Sequence, residues 1–368
     1  MKKFKRGLAV ALAATLLPIG GISSAYAADK PVDLYITQDV VPGSVNTEMY
    51  TSIQEFLYSN VINGSIDKNG SVYIYPRNSI TRGEFVIMIV NALGLKQKGN
   101  AMSFADLKPG SAYYNAATIA SSHGIIKGIG GKFAPGQKIT RAEIAVMVYR
   151  TFQSSVPFKD VTATKGFTDV PAGSYPWAFE AIYKSAANGI VKGSGTLFKP
   201  TDNATRGEAI VMMNRALHQE TMTASEQTAA ATFLKNHILK GQDLLVKQDF
   251  KGLTNLYDRE GTGFYRAVIN NYSTLVQDIM NEGAKMTYVP DQDFTVKPVY
   301  VSGHFAAFSV NDYTYSLTVE LNSSTMTAPK DASALYRMKK DSSGNWQVYD
   351  IQPYSDDYMN LIYFGYER

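Results

Sequence analysis

Arginine placed beside a helix start is the pattern in this chain that demands a chemical explanation. Residues 80–84 read ITRGE, residues 139–143 ITRAE and residues 204–208 ATRGE. In each, a Thr stands three positions before a Glu and an apolar run follows, which is the capping-box signature of a helix N-terminus. Thr81, Thr140 and Thr205 are therefore predicted N-caps, with hydroxyls that accept from the backbone N–H three residues on. Glu84, Glu143 and Glu208 reach back to the cap N–H and favour the positive end of the helix dipole. The same dipole opposes Arg82, Arg141 and Arg206, at about 0.3–1 kcal/mol each when exposed. Repetition of that cost implies a role beyond holding the helix. Either the guanidinium offers a planar fork to a carboxylate ligand beside free helix N–H groups, or it pairs at the surface with a carboxylate of a neighbouring copy.

The elements that position these arginines repeat with a period of about 60 residues. Pro76, Pro135 and Pro200 each stand five residues before a capping Thr. Upstream, Asn60-Val61-Ile62-Asn63-Gly64 matches Gly124-Ile125-Ile126-Lys127-Gly128 and Gly189-Ile190-Val191-Lys192-Gly193. Phe104-Ala105-Asp106 matches Phe167-Thr168-Asp169, followed by aromatics at Tyr113, Tyr114, Tyr175 and Trp177. The first copy keeps Tyr50 in register but lacks F-x-D, so its start reads as degenerate. Each copy is thus a predicted helix (50–59, 114–122 or 177–187), a Gly-bounded turn, a loop carrying the Pro, and the capped helix. In the capped helices Phe85, Met88, Ile89 and Ala92 share a face, as do Ile144, Met147, Val148 and Thr151, and Ala209, Met212, Met213 and Leu217. One such pair cannot bury its own apolar side, so the copies are expected to share a core with quasi-threefold symmetry.

F-x-D, the aromatic before a helix, G-I-x-K-G, F-x-P and I-T-R-A-E together resemble the S-layer homology domain, in tandem copies at 46–95 (degenerate at its start), 104–153 and 167–218. The resemblance implies an all-α pseudo-trimer of helix-loop-helix repeats that anchors an exported protein non-covalently to pyruvylated secondary cell-wall polysaccharide. It also implies that Arg82, Arg141 and Arg206, from the family's TRAE motif, contact that polymer. The missing F-x-D sets the first groove apart from the other two. A ketal-linked pyruvate supplies a carboxylate for such a fork. Tyr50, Tyr114, Tyr175 and Trp177 either stack on the sugar or belong to the core. Asp106 and Asp169 either accept from sugar hydroxyls or serve as caps and turn residues.

Composition bounds the rest. Lys2, Lys3, Lys5 and Arg6, the apolar run 8–19 and Ala25-Tyr26-Ala27 form a predicted signal peptide at 1–27. Its removal takes four of the 36 basic side chains and leaves them equal to the 32 acidic ones, so nothing in the mature chain asks for nucleic acid. There is no Cys, which excludes disulfides and thiolate metal sites. No later stretch is long and apolar enough to cross a bilayer after cleavage. Residues 28–45 read as an irregular lead-in and 219–225 as a linker.

From 226 to 368 the period changes. Helices are predicted at 226–247, 249–258 and 264–282, and strands at 285–289, 295–300, 304–310, 313–321, 334–341 and 345–352, an α+β domain with helices packed on an antiparallel sheet. This order, ending in GNWQVYDI at 344–351, is similar to the nuclear transport factor two-like (cystatin-like cone) fold, which hosts enzymes, ligand binders and dimerisation modules alike. His237, His304, Asp258, Glu260 and Asp350 are the candidate catalytic side chains, but no spacing joins them into an acid/base pair, triad or metal site. Asp350 reads as a solvated strand residue and His304 as a surface His. The sequence therefore points to a multi-domain, non-enzymatic wall-binding protein without cofactor or metal, with its C-terminal part for a small ligand, an interaction or self-association. The alternatives are a wall-anchored extracellular enzyme with catalysis in that part, and a lattice-forming surface subunit.

Overall fold

A computed structural model describes residues 31–163, 166–269, 280, 283–291, 293–321 and 324–354, so the predicted signal peptide and most of the helix expected at 264–282 lie outside the described residues. The repeat region holds helices α1 (Thr47–Tyr58), α2 (Arg82–Leu93), α3 (Tyr114–Ser122), α4 (Arg141–Phe152), α5 (Phe179–Ala187) and α6 (Arg206–Leu217). All three predicted capping boxes form, with Thr81, Thr140 and Thr205 accepting from the N–H of Glu84, Glu143 and Glu208 and each Glu accepting from the cap N–H. The faces read from sequence are buried except at the half-buried Thr151, with Phe85, Ile89, Ile144, Val148, Ala209 and Met213 completely so. α1 begins three residues earlier than expected because Asn46 caps it, accepting from Met49 N. α5 begins two residues later, because Tyr175 (φ 47°) folds a turn in which Ala178 and Phe179 both donate to its carbonyl.

The missing F-x-D of the first copy is not missing in space. Asp39 accepts from Ile74 N and Tyr75 N, as Asp106 does from Phe133 N and Ala134 N and Asp169 from Phe198 N and Lys199 N. Tyr75, Ala134 and Lys199 are all left-handed, at φ 53°, 55° and 61°, and each precedes the Pro. The carboxylate fixes that strained residue by holding its amide and the one before it. Thr37-Gln38-Asp39 stands where the other copies have F-x-D, so the first copy is intact at this point and begins earlier than 46.

The chain then enters α7 (Ala224–Val246) and α8 (Phe250–Glu260), with residues 263–269 helical, α9. α7 carries a fourth capping box, Thr223 with Glu226, inside the stretch expected to be linker. Strands follow as β3 (Lys285–Pro290), β4 (Thr295–Val301), β5 (Phe305–Asn311), β6 (Thr314–Leu321), β7 (Ser324–Asp331), β8 (Ala334–Lys340) and β9 (Trp346–Pro353), after a two-residue ribbon β1 (Ser65–Ile66) and β2 (Val72–Tyr73) in the first repeat. They form two antiparallel sheets, β3-β6-β7 and β4-β5-β8-β9, with α7 against β3 and β4. β7 escapes sequence reading because it is polar and contains Pro329, which is tolerated since β7 is an edge strand.

Repeats and α+β part share one continuous core. At their junction Tyr58 stacks on Phe264 at 4.3 Å, and Gly263 (φ 59°) approaches Tyr58 so closely that a Cβ would lie 1.8 Å from its carbonyl oxygen. Beside this contact the buried Glu55 of α1 is the hub of a polar network. Its Oε1 accepts from Tyr300 (2.5 Å) and Tyr349 (3.0 Å), and its Oε2 from Asn214 (2.6 Å). His218 Nε2 lies 3.0 Å from Oε2, out of line for a hydrogen bond, so that contact is an ion pair when the imidazole is protonated. Burial on its own would raise Glu55, but the charge of the nearby His218 and the hydrogen bonds from Tyr300 and Asn214 bring its pKa down to about 2. A depressed carboxyl stabilises the fold above its unfolded value and stops doing so as the pH falls through its folded value. The stability difference between the native chain and Glu55→Gln is therefore expected to be on the order of 3 kcal/mol above about pH 4.5, and to shrink toward zero as the pH approaches 2. Denaturant unfolding at a series of pH values measures this; a difference independent of pH would contradict it.

Candidate functional site

The three helix N-termini of α2, α4 and α6 meet, and they consume one another's hydrogen-bonding capacity. Ile80 N donates to Ala204 O, Ala204 N to Ile139 O and Ile139 N to Ile80 O, all within 3.0–3.1 Å, which closes a ring of backbone bonds. The first two amides of each capped helix donate to the Pro loop of the next copy: Arg82 N and Gly83 N to Gln137 O and Pro135 O, Arg141 N and Ala142 N to Asp202 O and Pro200 O, Arg206 N and Gly207 N to Asn78 O and Pro76 O. The third amide belongs to the capping Thr. The expected free N–H groups at these helix starts are thus already satisfied, and the anion site cannot be the bare helix terminus.

The arginines run round the same ring. Arg82 pairs with Glu143 (2.6 Å), Arg141 with Glu208 (2.9 Å) and Arg206 with Glu84 (3.2 Å), each bridging to the capping-box Glu of the next copy. Arg82 Nε and Arg141 Nε also donate to Phe133 O and Phe198 O, with the guanidinium carbons 5.8 and 5.2 Å from the rings of the same two residues. The sequence-level alternative of an exposed pair gives the right partner and the wrong environment, since Arg82 and Arg141 are only 4% and 8% exposed. Breaking one partner of a buried pair leaves an uncompensated charge. Arg82→Ala is expected to cost roughly 3–5 kcal/mol, and Arg206→Ala, more exposed and with Nε unpaired, about 1 kcal/mol. Shifts in urea midpoint for the two variants test that order.

The surfaces beside the three joints differ. Between the first and second copies lies a cavity of about 280 Å³ bounded by Arg82, Lys127, Gly128, Ile129, Glu143, Met147, Arg150 and Trp177. Trp177 is 54% exposed, so it is a wall of the groove and not a core residue. Glu143 is neutralised by Arg82, while Arg82 Nη2 makes no hydrogen bond among the described residues, unlike Arg141 Nη2 on Lys192 O and Arg206 Nη2 on Asn63 O. Arg150, half-buried, has no ion-pair partner among the described residues; burial lowers its pKa, yet an arginine stays charged at physiological pH. At the joint of the second and third copies the counterparts of Arg150 and Trp177 are Arg215 and Glu48, and they bind each other bidentately at 2.6 and 2.7 Å with Lys192 3.7 Å away. At the third joint the counterparts are Asn91 and Ala112, neither cationic nor aromatic.

Of the other predicted contacts, Tyr50 is half-buried against the core, with its pKa raised by that burial. Tyr114 is half-buried, while its neighbour Tyr113 packs on Gly83, where a Cβ would lie 2.5 Å from the ring. Asp106 and Asp169 each accept from two backbone amides, one on each carboxylate oxygen, which is the turn role read from the sequence. Arg150 and Lys127 were absent from the sequence candidates. The signal was present, because Arg150 and Arg215 both stand nine residues after the repeat arginine, with Asn91 in the first copy.

In the α+β part the fold joins two candidates that spacing does not link. His237 Nδ1 lies 3.0 Å from Glu260 Oε2 and its Nε2 3.1 Å from the Tyr265 hydroxyl. Burial lowers the His237 pKa; it would raise Glu260, but hydrogen bonds from His237 and Arg259 take that carboxyl to about 2. The others stay apart: Asp258 pairs with Arg266 and His304 with Glu220. Asp350 is buried against Arg337 (2.5 Å) and not solvated, because its strand position faces the domain junction; burial raises its pKa against the pull of Arg337. Among the described residues no cluster of His, Asp or Glu could hold a metal ion, and no helix is long and apolar enough to cross a membrane.

One joint of the repeated helix pairs thus presents a cation beside an open indole. Residues 103–145 and 166–210 match the family model of the S-layer homology domain. The chain is 35% identical over 141 residues to an amylopullulanase of Thermoanaerobacterium thermosulfurigenes, covering 38% of this chain and 8% of the relative. It is 26% identical over 288 residues to the S-layer protein sap of Bacillus anthracis, covering 76% of this chain and 34% of the relative. It is 28% identical over 150 residues to a cellulosome-anchoring protein of Acetivibrio thermocellus, covering 39% and 33%. The chain thus spans about a third or less of these relatives' length. It is a secreted, wall-anchored protein of the cell-wall and S-layer surface.

Proposed function

We propose that the chain carries three S-layer homology copies arranged as a pseudo-trimer, the first of them outside the matched segments, and that they hold it on pyruvylated secondary cell-wall polysaccharide. One observation carries the choice of site: an ion-pair-free Arg150 beside an exposed Trp177, with Lys127 and a spare Arg82 Nη2 in the same groove. The ketal carboxylate takes the guanidinium of Arg150 as a charge-assisted, bidentate partner, and the sugar's C–H face lies on the indole. Arg141 and Arg206 act by holding the joints. The α+β domain, weakly similar to the cone fold, is a non-catalytic interaction domain, since its His237–Glu260 pair is sealed in the core with His237 1% exposed. The amylopullulanase likeness covers only 38% of the chain and lends that domain no activity.

Sedimentation with purified walls tests the reading. Arg150→Ala and Trp177→Ala are each expected to weaken binding about tenfold, near 1.4 kcal/mol, with unchanged melting, while Arg215→Ala leaves affinity within about twofold. Equal pelleting with walls stripped of pyruvate would overturn it.

A further inference from the structure

Arg150 does not border one cavity but three. The groove described above is continuous past Trp177 with a second cavity of about 300 Å³ that shares Lys127, Val146, Arg150 and Trp177 with it. Beyond Arg150 and Gln153 opens a third, of about 500 Å³, at the C-terminal ends of α2, α3 and α4. That size lies within the roughly 300–1,000 Å³ of small-molecule sites.

We infer that this third cavity is a second sugar subsite, holding the neighbouring, uncharged unit of the polysaccharide whose pyruvylated unit lies on Arg150 and Trp177; the inference rests on the wall-binding reading above. Its floor is apolar, from Leu93, Leu95 and Ile125, and suits the C–H face of a pyranose. Its polar walls suit hydroxyls in both senses. His123 donates through Nε2 to Lys96 O at 2.8 Å, leaving Nδ1 to accept. Gln153 has only a 3.5 Å contact from its amide nitrogen to Arg150 O, leaving its carbonyl free. Lys98 lines the cavity and, among the described residues, no carboxylate lines it, so an acidic chain meets no repulsion from the lining. The connector above it is held in place, with Lys98 N on Ser122 Oγ and Met102 N on Ser121 Oγ.

The repeat supplies an independent argument, because the two quasi-equivalent positions are filled. After the first helix of each copy stand Ser59, His123 and Asn188 in register. At Ser59 the space is taken by the α+β domain: Lys339 Nζ donates to Ser59 O and Asn91 O, and a Cβ on Gly94 would lie 3.0 Å from Ser342. At Asn188 it is taken by connecting chain, with Lys159 N on Asn188 Oδ1 and Asn188 Nδ2 on Gln219 Oε1. At His123 the connecting chain is present too, through Lys96 O and Lys98 N, but it leaves the third cavity beside it, and that cavity adjoins the groove whose Arg150 has no ion-pair partner among the described residues.

Calorimetry with size-fractionated pyruvylated wall polysaccharide separates the two readings. The native chain is expected to bind fragments of two or more units about tenfold more tightly than the isolated pyruvylated monosaccharide. Gln153→Ala, which leaves the connector's bonds untouched, and His123→Ala should each keep monosaccharide affinity within about twofold while losing most of the gain with length. Arg150→Ala should weaken both ligands. No gain with length in the native chain, or a gain retained by the double variant, overturns the second subsite and leaves wall binding standing. Failure of the native chain to bind either ligand overturns the reading on which the subsite rests.

Discussion

The ring in which each capped helix hands its first amides and its arginine to the next copy governs everything else in the repeat region. A helix start leaves N–H groups that must find partners, and here the partners lie in another copy. No helix pair can complete its own terminus, so removing one copy would orphan donors at one joint and acceptors at another. The arginine that the dipole disfavours within its own helix is stabilised by the glutamate of the next. Local cost is offset by a contact far away in the chain, which is why a single copy examined alone makes that residue look purposeless.

The same ring yields three joints with equal backbones and unequal surfaces. Bonds that build the ring use main-chain atoms and the Thr, Arg and Glu of each box, so residues just outside it vary without disturbing it. One joint places an indole beside a cation, the second an acid beside a cation, and the third an amide beside an alanine methyl. On the proposed reading, binding chemistry is decided by these bystanders, and the repeated arginines set the frame in which they meet.

Helix identity, capping and buried faces were legible because they follow from spacing and local chemistry. The site was legible in part. Arg82 lines the groove, as the motif suggested, and Trp177 faces solvent. The partners of Asp106 and Asp169, and two of those of Arg141, are backbone groups of other loops, which were not legible because sequence displays side chains and not the positions of amides and carbonyls. Arg150 was passed over since it sits in an apolar helix's last turn, where a cation already has a reason to be. Asp39 was hidden because Thr37 stands where the other copies have Phe, while the aspartate alone makes the bonds to the turn. In the α+β part, Asp350 looked solvated from its alternation alone, which cannot reveal that Arg337 and the repeats cover that face.

Between α6 and α7 there is little slack. His218 faces Glu55, Glu220 holds His304 at 2.8 Å, and Thr223 already caps the next helix. Tyr300 and Tyr349 of the sheet close on the same buried carboxylate from the other side. The two parts are therefore joined as a strut and not as a tether. A pull applied to the α+β part is carried into α1 by shear across Glu55 and the Tyr58–Phe264 stack, and so reaches the ring of repeats without first drawing out loose chain.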